Sequence, residues 1–176
     1  MTDANALAAE LVRYSQEKLR ESVQQIERCL NLLSTEQVWH RPNEVSNAIG
    51  NLVIHLNGNV RQWIVAGLGK EALARDRPAE FAQREPIATD TIIGELKATV
   101  ERANSVIGKL TPQALIEQVT IQGYQVTGLA AVVHVVEHFS LHTGQIVYAT
   151  KILINRDLSL YDSQGQRIDG KNAGAP

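Results

Sequence analysis

The stretch from about Gly128 to Ile154, GLAAVVHVVEHFSLHTGQIVYATKILI, is apolar nearly all the way round a helical period. A helix of that kind is stable only if other elements cover it along its length. The chain supplies three candidates for that role. From about Ala6 to Leu33, Leu7, Leu11, Tyr14, Leu19, Val23, Ile26, Leu30 and Leu33 recur at helical spacing between charged and amide residues. From about Asn47 to Leu68 the apolar set is Ile49, Leu52, Val53, Leu56, Val60, Trp63 and Ile64. From Asp90 to about Leu110 it is Ile92, Ile93, Leu96, Val100, Ala103, Val106 and Ile107.

The segments between them carry their own signals. Ser34-Thr35-Glu36-Gln37 has the form of a capping box for a short turn. Pro42 discourages helix at Arg41, and Ser46 or Asn47 is placed to cap the second helix. The polar run ALARDRPAEFAQREPIATD, with Pro78 and Pro86, reads as a connecting loop. Thr111-Pro112 ends the third helix or begins a short turn, VTIQGYQVT reads as an extended connector, and Thr127 can cap the fourth helix. Four long helices without a convincing sheet predict an all-α four-helix bundle over residues 1–154. The longer connector between the second and third helices permits a crossover. The polar, glycine-rich residues 155–176 are expected to form an irregular C-terminal tail.

With 176 residues and 44% hydrophobic content, the chain fits one domain with a sizeable core. A net charge of −2 gives no footprint for nucleic acid and no polybasic membrane signal. No run reaches the ~18 apolar residues of a membrane span, and the N-terminal residues do not resemble a secretion signal. Cys29, the single cysteine, has no intramolecular disulfide partner and reads as a packed thiol. The expectation is a soluble cytoplasmic protein that binds neither nucleic acid nor membrane.

His134, His138 and His142 stand four apart on the fourth helix, and so share one face. Buried imidazoles need partners for their ring nitrogens, and a metal ion can satisfy several at once. Three such residues span about 12 Å at ~1.5 Å per residue, too far for all to meet one small ion. Two of the three should ligate, with the third beside the site or turned away. His55, on the second helix between Asn51 and Asn59, can supply a ligand from a facing helix, as bundles commonly do. A helical histidine more often makes an ordinary hydrogen bond, so the metal reading rests on the combination of two helices. His40, in the loop before Pro42, is read as unrelated. Glu137 is read as a surface charge or a group beside the site, and Trp39 and Trp63 as packing residues. Three neutral nitrogen ligands leave coordination open, as in catalytic sites. Imidazole suits zinc, nickel, iron, copper and cobalt alike. The paired Glu-x-x-His pattern of di-iron bundles is absent, as are phosphate loops, H-E-x-x-H, G-x-S-x-G and C-x-x-C.

The runs SNAIGNLVIHLNGNVRQWI and HVVEHFSLHTGQI, the second with H-x-x-x-H leading into T-G-Q-I, resemble the DinB-like superfamily. The resemblance extends from about Ala6 to Ile154 and is nearest to a bacterial subgroup of uncharacterised members. It implies a four-helix bundle, usually a homodimer. It implies a divalent metal, zinc first and nickel or iron next, held by His55, His138 and His142, with His134 as a neighbour. Characterised relatives act on small thiols such as bacillithiol or mycothiol. The resemblance therefore implies a thiol S-transferase-like enzyme that joins a small thiol to an electrophilic substrate. Two other readings stand beside it: a hydrolase using metal-activated water, and a non-catalytic metal-binding or interaction protein.

Overall fold

The computed structural model describes residues 3–160, 162–165 and 168. Four long helices dominate it. α1 covers Asp3–Leu30, and a one-turn α2 covers Thr35–Val38. α3 covers Ile49–Val60 and continues without a break as a π-helical segment, Arg61–Leu68. α4 (Arg77–Ala82) is short, α5 spans Thr89–Ile107, and α6 is a single turn at Pro112–Ile116. Strands β1 (Gln118–Ile121) and β2 (Tyr124–Thr127) form an antiparallel hairpin, and α7 closes the order at Gly128–Ile154.

Local chemistry sets many of these limits. Ser34 and Gln37 make the reciprocal capping box that the sequence announced, and the Thr111 and Thr127 side chains accept from the backbone N–H groups of Ala114 and Ala130. Neither Ser46 nor Asn47 caps α3. The N-cap position is Ala48, and its N–H donates instead to the side chain of Asn51. The segment expected to be an extended connector pairs with itself. It turns through Gln122 and Gly123, which hold φ of 54° and 81°, the left-handed pair that a two-residue hairpin requires. A two-stranded sheet is therefore present, although the fold remains all-α in class. α4 lies inside the run expected to be loop, with Asp76 capping it and Pro78 in its first turn, where proline is tolerated.

The crossover is present but lies elsewhere than the long second connector. α1 packs on α5 and α7, and α3 packs on the same two helices. Helices α1 and α3 are therefore diagonal, as are α5 and α7. The first connection, through α2, and the third, through α6 and the hairpin, cross the bundle, whereas α3 and α5 are direct neighbours. The four helices bury Leu19 and Ile26, Val53 and Leu56, Leu96 and Ile107, and Phe139 and Ile146 in one cluster. Full burial of each such side chain contributes about 1.5–3 kcal/mol. Beyond α7, Leu158 is 3% exposed and its carbonyl accepts from Arg28, so part of the tail is pinned to the bundle. Of the expected tail, residues 161, 166, 167 and 169–176 lie outside the described residues. Among the described residues, no helix is long and apolar enough to cross a membrane.

Candidate metal centre

α3 and α7 are neighbours in the bundle, and their facing turns bring three imidazoles together. One ring nitrogen from each of His55, His138 and His142 lies within 4.8 Å of the other two. The ring centroids are 4.9 Å apart for His55 and His138, 4.5 Å for His138 and His142, and 5.3 Å for His55 and His142. Metal–nitrogen bonds of about 2.0–2.1 Å put two ligands of one tetrahedral ion about 3.3 Å apart. The cluster is within a small side-chain adjustment of that spacing.

Hydrogen bonds aim the nitrogens. Nδ1 of His55 lies 2.9 Å from Oε2 of Glu80, so this nitrogen carries the proton and donates to the carboxylate. Nη2 of Arg75, 3.3 Å from the same Nδ1, is already committed to Glu80 at 2.8 Å. Nε2 of His55 is left with a lone pair. It lies 2.9 Å from Nε2 of His138, so the two ring nitrogens of facing helices meet at hydrogen-bond distance. Nδ1 of His142 donates to Oε1 of Gln145 at 2.7 Å, which likewise frees its Nε2. Burial pushes the His138 pKa down to about 3, and the charges that His142, His55, His134 and Arg75 would present push in the same direction. Burial also lowers that of His142, against the opposing pull of Gln145. Both rings are therefore neutral at neutral pH and can offer lone pairs. A set of neutral imidazole nitrogens, converging and already oriented by other groups, fits a divalent ion.

His134 is not part of the cluster. Its ring packs on that of Trp63, tilted by 36° with centroids 4.0 Å apart, and its Nε2 is 3.4 Å from Nδ2 of Asn59. It sits beside the site, with its ring 5.5 Å from that of His138. Trp63 is thus a packing residue for a histidine of the cleft, while Trp39 packs at the base of α3 and donates to the carbonyl of Ile87. His40 and Glu137 are exposed and do not line the cleft.

Two of the residues that position the centre, Arg75 and Glu80, lie where the sequence suggested only loop. Glu80, on α4, is 8% exposed and receives Nε and Nη2 of Arg75 at 2.6 and 2.8 Å. Burial raises its pKa, but the contacts with Arg75 and His55 outweigh this and hold the carboxyl below the usual range. α4 is fastened to α3 by Asn51, whose Nδ2 donates to the carbonyls of Glu80 and Gln83 at 3.0 and 3.1 Å. The approach is close enough to require a glycine. A Cβ on Gly58 would stand 2.0 Å from Oε1 of Glu80. Arg75 is held in turn by Oε1 of Gln62 at 2.6 Å, and Gln62 also accepts from Gln122 at the hairpin turn. Gln62 belongs to the π-helical segment, whose wider turn is a feature often found beside functional sites. Asn51, one turn before His55, the acidic residue in RPAEF and the isolated glycine of LNGNV are the sequence marks of this network.

Above the histidines is an open cleft of about 640 Å³, bordered by His55, His138, His134 and Asn59, by Arg75 and Arg77, and by Gln122 and Tyr124 of the hairpin. Among the described residues, no carboxylate borders it.

Residues 6–162 match a family described as a protein of unknown function, DUF1572. No curated protein matches the chain. Three solved structures are similar to it. A conserved protein from Enterococcus faecalis is 17% identical, with a TM-score of 0.68 over 82% of this chain and 97% of that one. The DinB-like protein YjoA from Bacillus subtilis is 18% identical, with a TM-score of 0.64 over 88% and 99%. A DinB-like protein from Bacillus cereus is 17% identical, with a TM-score of 0.55 over 75% and 85%. At these identities the likeness establishes the fold, which is DinB-like.

Proposed function

Since the chain belongs to the DUF1572 family and has a DinB-like fold, we propose that it is a metal-dependent enzyme that activates a small thiol for attack on an electrophilic substrate. His55, His138 and His142 hold the ion, with zinc as the first candidate and nickel or iron as others. The observation that carries this reading is the convergence of three imidazole nitrogens within 4.8 Å, two of them, those of His55 and His138, on residues that border an open cleft. A divalent ion bound there lowers the pKa of a thiol, so that sulfur is a nucleophile near neutral pH.

The chain's own residues do the rest. Glu80 fixes the tautomer and orientation of His55, and Gln145 does the same for His142. Arg75 neutralises Glu80, so the carboxylate stays an orienting group and is not available to the cleft as a base. That last point favours thiol chemistry over hydrolysis. Metal-dependent hydrolases commonly use a carboxylate base beside the attacking water, and among the described residues the lining of this cleft has none. The thiol's proton is lost to solvent. The sulfur pair then forms the new bond to carbon as the electrophile's leaving group departs with its own pair.

Two measurements test the proposal. Elemental analysis should find one divalent ion per chain in the wild type and none in the His55→Ala, His138→Ala and His142→Ala variants. Equal metal content in all four proteins removes the ligand assignment. A turnover screen of thiol–electrophile pairs against esters and amides should give activity with the first class alone. Ester or amide hydrolysis without thiol dependence removes the reaction assignment.

A further inference from the structure

We propose that the cleft selects a thiol that also carries a carboxylate, and that Arg77 is the residue that binds this carboxylate. The charges around the cleft point to an anion. Among the described residues, its border holds two guanidinium groups and no acid. Glu80, just beneath it, is fully committed to Arg75 and His55. An ion on three neutral imidazoles would add two positive charges beside this border.

Arg77 differs from Arg75. Arg75 is paired with Glu80 and Gln62, and its charge is cancelled. Among the described residues, Arg77 has no carboxylate within ion-pair distance. Its guanidinium carbon sits over the face of Phe81 at 5.0 Å, and Phe81 in turn packs on His55 at 4.6 Å between ring centroids. Arg77 is exposed, and the cation is thereby held two ring contacts from a candidate ligand with its planar donor fork open to solvent. Tyr124 offers a phenol from the hairpin side of the same cleft. A single fork suits one carboxylate. A phosphate site would instead be expected to show a nest of backbone amides or several cations, and neither the sequence nor the lining of the cleft has such a loop.

The thiol end of this inference rests on the metal-centre reading, whereas the carboxylate end does not. The test separates them. Wild type, Arg77→Gln and Arg77→Glu are loaded with cobalt(II) and titrated with 3-mercaptopropionate and with its neutral match, 3-mercaptopropionamide. The sulfur-to-cobalt absorption band is followed at fixed ionic strength. The wild type should bind the acid about tenfold more tightly than the amide, the worth of one charge-assisted contact. The preference should vanish in Arg77→Gln and reverse in Arg77→Glu, with cobalt content unchanged in both. Equal affinities in the wild type, or a preference that survives both substitutions, overturns the proposal. If the wild type takes up no cobalt, or takes it up and shows no sulfur band, the function reading fails. The carboxylate site is then decided by ligand-observed NMR on metal-free protein with propionate and propionamide. Propionate binding that Arg77→Gln abolishes supports the site, and propionate binding that is absent or indifferent to Arg77 refutes it.

Discussion

The helix α7 and the segment from Lys70 to Ile87 both contribute to the same centre, yet they do so by opposite means. α7 presents His138 and His142 from a regular helix that is packed along one face and, against the expectation of cover all round, leaves Leu141, Tyr148 and Ile152 exposed on the other; the four-residue spacing alone fixes the face the two histidines share. The second segment is mostly irregular, and its one short helix is held in place by side chains from elsewhere. Asn51 ties down its backbone, Gln62 holds Arg75, and Gly58 leaves the room into which Glu80 fits. α7 thus provides nitrogens that can bind an ion, and the segment decides how His55 faces it. Coordinating atoms can be supplied by periodicity, whereas orientation has to be supplied by packing.

Substitutions can break this contrast or sharpen it. The largest effect is expected at the nitrogens themselves. Loss of any one of His55, His138 and His142 should reduce retained metal from one ion per chain to a trace by elemental analysis. Next comes Glu80→Gln, which keeps the shape of the side chain and removes the charge that orients His55. Metal affinity should fall about 10–100-fold in competition with a chelator, while the fold persists. A Glu80→Gln protein with wild-type affinity would mean that the segment plays no part in the centre. Gly58→Ala should follow, because the new methyl group would press on a buried carboxylate. A loss of about 1–3 kcal/mol in urea unfolding is expected, of the size of overpacking elsewhere. The smallest effects belong to the histidines outside the cluster. His134→Ala and His40→Ala should keep the full metal content, and a deficit in His134→Ala would move that residue into the ligand set.

Much of the bundle was legible because helix formation is local. The apolar spacing gave the four long helices, and Thr127 gave the start of α7. The limits that went unread are those settled by long-range partners. The start of α3 at Ile49 depends on the Asn51 side chain, and α4 depends on the same side chain, 29 residues before its partner Glu80. The hairpin was visible only as β-branched residues around a glycine, too short to be distinguished from an extended connector.

The sequence by itself determined which faces of the helices are apolar and that several imidazoles share one of them. Both follow from a period of 3.6 residues, which needs no knowledge of the rest of the chain. Only the tertiary structure decided that α1 and α3 stand on opposite corners, so that α3 faces α7. It also decided that Trp63 and Asn59 draw His134 aside while Glu80 turns His55 inward. Those outcomes depend on contacts between residues far apart in the chain, and the strength of such contacts is set by burial and exclusion of water, which arise only when the helices have met.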